Sequence, residues 1–507
     1  MKKLWGVISV LIVGTLLFAQ TTTITIVATT DGHGFITGYD YVNDKELNYG
    51  LPYAAKVIKK LRKENKNLIL ADIGDTISGA PITFYHAYYK KGQPNPVIKC
   101  MNELKYDIAT IGNHDFDFGA PYLTKAITQS SFPWVSANVY EGNFPFSYSY
   151  RIIEKGGVKV GFFGLTTPAT KYFEPPFNIK GLDFKKMAEN AQKAVDDLKR
   201  NGADIIVALC HSGKGPMYDL SEPFENALYY VLEHVKGIDI AFYGHSHKEN
   251  PIEYYNKVLI CQPKNYYQSV AVAIIDLQKR DGHWEILNKA STVLSEKDKL
   301  DKTIVKLSKS IASDLEDFLN KKIGKYPDQI ELKQIYADPG SGIDILYKAQ
   351  KSAIKADAYF VQFSYDNLVK PEGKPLRIKH AFKLLPYDNY LVKTEITGKN
   401  LKLFLEKNAS YFDSSGTLEP DAKPFYASIG KNIKYTVNFK RPKNHRIKIE
   451  KVNGKEFKED GVYSVVLTAY TYTENLDFFN KDKTTYSEKS FRQILINYLQ
   501  NEYGKEE

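Results

Sequence analysis

Short apolar runs alternate with amphipathic stretches through the first half of the chain. The runs are nearly continuous in aliphatic and aromatic residues and lie at 23–28, 67–71, 106–111, 160–165, 204–209 and 238–243. Runs of this kind are typical of strands that are buried on both faces of a sheet. Stretches with helical spacing of apolar residues lie between them, such as 54–64 and Met187–Arg200. This alternation predicts an α/β fold.

A charged stretch at 295–327 interrupts the alternation. Its apolar residues recur at intervals of three and four, as in one amphipathic helix: Leu300, Ile304, Leu307, Ile311, Leu315 and Phe318. Gly324 and Pro327 end this helical pattern. We interpret 295–327 as a linker helix that joins a first domain at 21–294 to a smaller α/β domain at 328–507. The alternative is an ordinary helix of the first domain.

The first twenty residues have the pattern of a signal peptide. Two lysines precede an apolar run at 4–18, and Ala19 stands where a signal peptidase could cut. The run is shorter than the roughly 20 residues that a membrane-spanning helix needs. Leu17 is an imperfect residue for cleavage, so a retained anchor is the alternative. We expect a signal peptide at 1–20, an exported protein in the periplasm or outside the cell, and no stable membrane insertion after cleavage.

Composition excludes several classes of protein. A chain of 507 residues is too long for one compact core, and 43% hydrophobic with 25% charged residues exclude a disordered or fibrous protein. The net charge of +10 is spread along the chain without a dense basic tract, so we expect no binding of nucleic-acid polymers. The 3 cysteines are far apart, which excludes a disulfide scaffold and a thiolate zinc site.

Residues able to ligate a metal follow five of the apolar runs directly. They stand in short turns: Asp31-Gly32-His33, Gly74-Asp75, Asn113-His114-Asp115-Phe116-Asp117, His211 and Gly244-His245-Ser246-His247. Because ligands of open α/β sheets bind outside the carboxyl ends of the strands, we expect these turns to meet in one small volume. A single histidine after a strand is more often structural, but that explanation does not account for five such turns in succession.

The donor types in these turns indicate the kind of metal. Asp, Asn and His suit Mn²⁺, Zn²⁺, Co²⁺ or iron, and the turns contain no cysteine. One ion would not use so many groups, whereas two ions about 3.5–4 Å apart, bridged by a shared carboxylate, would. The sequence therefore predicts two divalent metal ions, of an identity that it does not fix.

The turns resemble, in order and spacing, the five motifs of the calcineurin-like metallophosphoesterases. The resemblance implies an α/β/β/α sandwich. It also implies two ligand sets, one of Asp31, His33, Asp75 and His247, the other of Asp75, Asn113, His211 and His245. His114 would face the substrate phosphate, and Asp117 would orient His114. With two metals, this histidine suits hydrolysis of a phosphate ester, in which it protonates the leaving oxygen.

The second half of the chain resembles the exported two-domain nucleotidases. Segments such as Leu385-Pro386-Tyr387-Asp388-Asn389 and Ser410-Tyr411-Phe412 are similar to the 2′,3′-cyclic-nucleotide 2′-phosphodiesterase/3′-nucleotidase branch. In that family the second domain binds the base between aromatic rings, so we expect Tyr426 and Tyr470 to form the stacking pair. The chain has 37 tyrosines, and the alternative is that either residue is incidental.

Departures from the family pattern bear on the substrate. The Asn-Gly-Gly-Gly-x-Arg segment of 5′-nucleotidases would fall at 363–367, where the chain has no arginine, although Lys370 or Lys374 could supply a positive charge. The loop at 262–267, usually glycine-bearing, reads GlnProLysAsnTyrTyr.

We expect hydrolysis of nucleotides, most of all 2′,3′-cyclic and 3′-nucleotides. The first alternative is a 5′-nucleotidase or UDP-sugar hydrolase with the same metal site. The second is a secreted nucleoside-binding protein with structural metals, which the retention of His114 and Asp117 disfavours. The sequence does not indicate the oligomeric state.

Overall fold

The computed structural model describes residues 20–216, 225–325, 329–363, 367–369 and 375–504. The predicted signal peptide lies outside these residues except for its last position, and so do 364–366, Lys370 and Lys374. Among the described residues, no helix has both the length and the apolar character that a membrane crossing requires.

Two six-stranded sheets form the centre of the first domain. The first sheet contains, in spatial order, His283–Leu294, Val270–Arg280, Thr21–Thr29, Leu68–Asp72, Ile108–Thr110 and Trp134–Val135. The second contains Asn250–Tyr255, Val258–Gln262, Ile240–Tyr243, Ile205–His211, Val158–Thr166 and Tyr150–Lys155. Side chains of both sheets share one buried cluster, which includes Ile26, Ile69, Phe162 and Val207. The sheets therefore pack face to face.

The central strands of each sheet are parallel. Thr25 pairs with Leu68 and Ala71 pairs with Ile108 in the first sheet, and Val207 pairs with Ile240 in the second. Parallel pairing places the carboxyl ends of these strands at one edge of the sandwich. The predicted metal-ligating turns follow at that edge.

Helices cover the outer face of each sheet. The first sheet packs against Leu51–Glu64, Pro81–Tyr89, Pro96–Glu103 and Ala120–Gln129, and the second against Met187–Arg200 and Leu228–His234. The apolar residues of these helices lie on the face toward the sheet, as an amphipathic pattern requires. The predicted α/β/β/α sandwich is confirmed. The domain also contains the short helix Thr170–Phe173, the 3₁₀ turn His114–Phe116, and small strands at Tyr39–Asp40, Lys45–Glu46, Val139–Glu141, Phe144–Pro145 and Leu182–Phe184.

A long helix, Lys302–Asn320, lies within the predicted linker. The side chain of Asp301 caps its first turn by accepting from the backbone N–H groups of Thr303 and Ile304. The helix packs against helices of the first domain and against Ile378–Leu384 of the second. The domain boundaries on either side of it stay predictions.

The second half of the described chain is also α/β, as predicted. Its main sheet contains, in spatial order, Ser428–Lys431, Ala358–Gln362, Val462–Thr468, Tyr390–Thr397 and Phe479–Ser490. Smaller sheets are formed by Ile433–Val437, Ile447–Val452 and Lys455–Glu456, by Lys322–Lys325 with Pro375–Arg377, and by Ile330–Leu332 with Asn367–Val369. The helices are Ser341–Ala353, Ile378–Leu384, Gly398–Ala409, Ala469–Thr473 and Phe491–Tyr503, with 3₁₀ turns at Pro424–Tyr426 and Leu476–Phe478.

The second half contacts the first beside the metal-ligating turns. Thr473 donates a hydrogen bond from Oγ1 to the carbonyl oxygen of Tyr172 at 2.6 Å. The hydroxyl of Tyr390 donates to the carbonyl oxygen of Asp117 at 3.3 Å. These contacts place the helix Ala469–Thr473 next to the carboxyl edge of the sandwich.

Candidate active site

The turns after the central strands meet at the carboxyl edge of the two sheets. Backbone hydrogen bonds join them: the N–H of Asp31 donates to Gly74 O at 2.9 Å, and the N–H of His33 donates to Asp75 O at 2.8 Å. The N–H of Gly244 donates to Cys210 O at 3.1 Å. The convergence predicted from the sequence is present, and the turns come from both sheets.

Five of the seven predicted metal ligands have left-handed backbone conformations. Their φ values are 47° for Asp31, 46° for His33, 56° for Asp75, 71° for His245 and 57° for His247. Each such conformation of a non-glycine residue costs about 1–3 kcal/mol and persists only where the surrounding structure fixes it. In the described chain 15 non-glycine residues have a positive φ, so one third of them are predicted metal ligands.

Two glycines allow the turns to approach each other. A Cβ atom at Gly112 would lie 2.2 Å from Oδ1 of Asp75, and one at Gly244 would lie 2.1 Å from Oγ1 of Thr30. Real Cβ atoms do not approach other atoms this closely, so larger residues would push the turns apart.

The first group of candidate ligands contains Asp31, His33 and His247. His33 Nδ1 donates to the carbonyl oxygen of Ser78 at 2.9 Å, so its Nε2 offers a lone pair. That Nε2 lies 3.2 Å from Nε2 of His247, which in turn lies 3.3 Å from Oδ1 of Asp31. Three donor atoms therefore face one point.

The second group contains Asp75, His211 and His245. His211 Nδ1 donates to the carbonyl oxygen of Ile73 at 2.6 Å, and its Nε2 lies 3.0 Å from Oδ2 of Asp75. His245 Nε2 lies 2.9 Å from Oε1 of Glu225, which accepts its proton and leaves Nδ1 free to ligate. The same Asp75 oxygen lies 3.8 Å from His33 Nε2, so it stands between the two groups.

One buried polar atom at this point has no hydrogen-bond partner among the described residues. It is Oδ1 of Asn113, whose side chain is almost fully buried. An unpartnered buried polar atom costs about 1–3 kcal/mol. Divalent cations bind amide oxygen, carboxylate oxygen and imidazole nitrogen, so the donor set fits a metal centre.

The pKa shifts of the two groups differ between the histidines but keep the carboxylates ionised. Burial lowers the pKa of His33 to about 4. Burial also opposes protonation of His211, but the charges of Asp75 and Asp31 raise its pKa to about 9. Burial would raise the pKa of Asp75, yet His211 and His114 keep it well below its usual value. The carboxylates therefore stay ionised between the imidazoles.

Asp115 supports the turn that carries Asp75. Its Oδ2 accepts the backbone N–H groups of Asp75 at 3.0 Å and Gly112 at 2.8 Å. Its Oδ1 accepts those of Thr76 at 2.8 Å and Ile77 at 3.0 Å. Burial, and secondarily the charge of Asp75, raise its pKa to about 6. The sequence placed Asp115 in a motif but did not reveal this role.

His114 and Asp117 form a separate pair beside the two groups. His114 Nδ1 donates to Oδ1 of Asp117 at 3.0 Å, and its side chain is 45% exposed. Its ring centroid lies 5.4 Å from that of His33. Burial opposes protonation of His114, but Asp117 and then Asp75 raise its pKa well above the usual value. Its Nε2, the ring nitrogen that Asp117 does not bind, can therefore hold a proton next to the metal-ligating groups.

Tyr426 and Tyr470 lie in one aromatic cluster of the second half. The ring of Phe425 is 5.1 Å from that of Tyr426 and 5.8 Å from that of Tyr470. Burial and then Glu474 raise the pKa of both tyrosines, and Glu225 contributes to both. Because Glu225 also bonds His245, the cluster lies near the candidate metal ligands.

The loop at 262–267 contributes a tyrosine where the family pattern has glycine. The ring of Tyr266 lies 5.7 Å from the rings of both His33 and His247, and it stacks on Phe35 at 4.3 Å. Its hydroxyl is hydrogen-bonded to Tyr387 of the second half. This loop therefore connects the first group of ligands to the second half of the chain.

Comparisons with known proteins agree with this site. Residues 24–249 match the calcineurin-like phosphoesterase family, and residues 322–481 match the 5′-nucleotidase C-terminal domain. The chain is 30% identical to the 2′,3′-cyclic-nucleotide 2′-phosphodiesterase/3′-nucleotidase of Haemophilus influenzae, over 76% of this chain and 67% of the relative. It is 27% identical to the trifunctional nucleotide phosphoesterase protein YfkN of Bacillus subtilis, over 94% of this chain and 38% of the relative.

A solved structure has the same fold over nearly the whole chain. A protein of Staphylococcus aureus, described as a 5′-nucleotidase, superposes with a TM-score of 0.81 at 23% identity, over 96% of this chain and 98% of that one. Both halves of the chain thus match the two domains of one known architecture. The chain belongs to the two-domain 5′-nucleotidase family of calcineurin-like phosphoesterases, which are metal-dependent phosphoester hydrolases.

Proposed function

We propose that this protein is a two-metal phosphoester hydrolase that acts on 2′,3′-cyclic nucleotides and 3′-nucleotides. The observation that carries the proposal is the pair of donor groups that share Asp75, with His114 and Asp117 beside them. The name of the Haemophilus influenzae relative supports the choice of substrate. We include export after cleavage at 1–20, which the N-terminal pattern supports.

Each donor group would hold one divalent ion. The first ion would be ligated by Asp31, His33, Asp75 and His247, and the second by Asp75, Asn113, His211 and His245. Bound at these positions, the ions supply a Lewis acid for the phosphoryl oxygens and activate a water for in-line attack. The backbone carbonyls of Ser78 and Ile73 fix the tautomers that this ligation needs.

His114 would donate the proton that the leaving oxygen needs. Asp117 accepts the Nδ1 proton at 3.0 Å, so the ring keeps one orientation and its Nε2 is on the exposed side. A proton delivered by a positioned imidazole contributes about 10²–10⁴-fold to such a step. Neither residue belongs to the two donor groups beside Asp75, so loss of His114 is expected to leave both ions bound.

Tyr426 and Tyr470 would bind the base of the nucleotide. Tyr426 is 38% exposed, so its ring is open to a ligand. Stacking of a base on an aromatic ring is worth about 1–3 kcal/mol. The charge of Glu225 acts on both tyrosines, and Glu225 also bonds His245, which supports a base site beside the metal-ligating turns.

A substrate panel tests the proposal. The purified full chain is assayed with 2′,3′-cyclic AMP, 3′-AMP, 5′-AMP and UDP-glucose, each with added Mn²⁺, Co²⁺ or Zn²⁺. We expect kcat/KM for the cyclic and 3′ substrates to exceed that for 5′-AMP by about 10–100-fold, because a missing arginine removes a charged hydrogen bond of about 1.5–3 kcal/mol. His114→Ala serves as the background control. A ratio that favours 5′-AMP or UDP-glucose would replace the proposed substrate and leave the metal assignment intact.

A further inference from the structure

A third carboxyl group lies behind His114 and Asp117. Glu174 follows the short helix Thr170–Phe173 and is 4% exposed. Its carboxyl oxygen, one of Asp117 and a ring nitrogen of His114 lie within 4.8 Å of one another. The side chain of Asn178 donates to Oε2 of Glu174 and to the backbone carbonyl of Asp117, both at 2.9 Å. Glu174 is therefore packed into the structure that holds the pair.

The hydrogen bonds of this cluster assign a proton to Glu174. Asp117 accepts the Nδ1 proton of His114 at 3.0 Å and the hydroxyl proton of Ser78, so it is the ionised partner. Two carboxyl groups in contact cannot both ionise at low cost. Burial first, and then the charge and hydrogen bond of Asp117, raise the pKa of Glu174 well above its usual value.

His114 is the cation that acts on Glu174, and its Nδ1 proton is already bonded to Asp117. Asn178 and Asp117 face it from the first domain, and Tyr390 and Tyr486 are near it from the second half. In the described part of the chain, no lysine or arginine forms an ion pair with it. A neutral carboxyl that donates to Asp117 satisfies this environment.

We propose that Glu174 is a positioning residue that acts through Asp117. Its protonated carboxyl donates a hydrogen bond to Asp117 and so holds that carboxylate in the orientation that binds Nδ1–H of His114. This inference rests on the proposed role of His114 as the proton donor.

Two variants of similar size distinguish the effect of the hydrogen-bond donor of Glu174 from the effect of its side-chain volume. Glu174→Gln keeps an N–H donor toward Asp117, whereas Glu174→Met fills the space without one. Glu174→Ala replaces the Met variant if that protein does not fold. Glu189→Gln is the control, since Glu189 is a 64% exposed carboxylate paired with Lys193. Each full-length variant is assayed with Mn²⁺, and its metal content is measured.

The choice of leaving group reports on proton donation. 3′-AMP and glycerol phosphate have alkoxide leaving groups that need a proton, whereas p-nitrophenyl phosphate does not. We expect Glu174→Met to lower kcat by about 10–100-fold on the first two substrates and by less than about 3-fold on the third, with KM and metal content unchanged. Glu174→Gln should stay within about 3-fold of the wild type on all three.

Other outcomes overturn the proposal. Equal losses on all three substrates, loss of metal, or a Gln variant as impaired as the Met variant would each show a structural role. If the wild type cleaves glycerol phosphate and p-nitrophenyl phosphate but no nucleotide, the proposed substrate fails, while the comparison of those two esters still decides the role of Glu174.

Discussion

Substitution of Asp115 by Asn should destabilise the turn that holds the shared carboxylate. The two side chains have the same shape, but Asn replaces one oxygen by an NH₂ group. Each oxygen of Asp115 accepts two backbone N–H groups, at 2.8 and 3.0 Å. Whichever way the amide is turned, its NH₂ group therefore faces two donors.

The expected cost follows from these bonds. Two buried N–H groups lose their acceptor, at about 1–3 kcal/mol each, so the free energy of unfolding should fall by roughly 2–6 kcal/mol. Asp75 and Gly112 donate to the same oxygen, so displacement of that oxygen also moves a proposed metal ligand. A change of this kind behind a ligand lowers metal affinity by about 10–100-fold.

The assay is urea unfolding at pH 8, with EDTA and with excess Mn²⁺, and measurement of metal content after dialysis. At pH 8 the wild-type carboxyl is ionised, since its pKa is raised to about 6. Because that pKa is above the ordinary 3.8, the stability gained by protonating Asp115 in the fold is lost as the pH rises from about 4 through 6. At pH 5 the wild type gains the stability of this proton and the Asn variant does not, so the difference between the two proteins should widen.

Asp183→Asn, on an exposed position of a short strand, is the matched control. A difference below about 0.5 kcal/mol between Asp115→Asn and the wild type at pH 8 would refute the reasoning, because exposed substitutions are usually that small.

Three further predictions concern the metal centre and the aromatic cluster. Asp75→Ala or His245→Ala should release metal and abolish activity, whereas His114→Ala should lower kcat by about 10²–10⁴-fold with metal retained; metal analysis of the variants would contradict this if His114→Ala lost its metal. Tyr426→Ala or Tyr470→Ala should each raise KM for nucleotides by about tenfold or more, and an unchanged KM in both variants would exclude the stacking pair. Removal of metal by EDTA should lower the thermal midpoint, and Mn²⁺ at 100 times its Kd should restore about 2.7 kcal/mol; equal midpoints with and without metal would exclude a centre at this position.

The positions of the metal-ligating turns could be predicted from the sequence, because a local sequence pattern specifies them. Each metal-ligating turn follows directly after an apolar strand, so its position could be found without knowledge of the fold. The helix within the linker was also predicted, because its apolar residues recur over five turns, and the structure begins it after the cap at Asp301. Strand ends and amphipathic periods are local properties, which is why they can be recognised in one sequence.

Contacts between distant segments could not be predicted in this way. The tautomer of His211 is fixed by the hydrogen bond of its Nδ1 to the backbone carbonyl of Ile73, 138 positions away. Every residue has a backbone carbonyl, so no residue type in the sequence indicates this contact. Glu174 lies 57 positions from Asp117, in a segment without a periodic pattern. Phe425 and Tyr470 likewise meet only through the packing of separate elements. These contacts orient the metal ligands and so determine which atoms can react. The sequence motifs determine only where in the fold the site lies.

Five of the predicted metal ligands have a left-handed backbone conformation, and this conformation is required by the turns that bring the ligands together. Glycine adopts a positive φ without strain, and Asp and His adopt it more often than most other residues; Asp31, His33, Asp75, His245 and His247 occupy five such positions. Glycine at these positions would relieve the strain but would remove the metal ligand. The need for a ligand therefore determines the residue type, and the geometry of the turn determines the backbone conformation. The strain is offset by burial of the two sheets behind the turns and, in the proposed holoenzyme, by metal ligation. Costly backbone conformations therefore occur at residues that would perform the reaction, and here they coincide with five of the seven metal ligands first selected from their pattern alone.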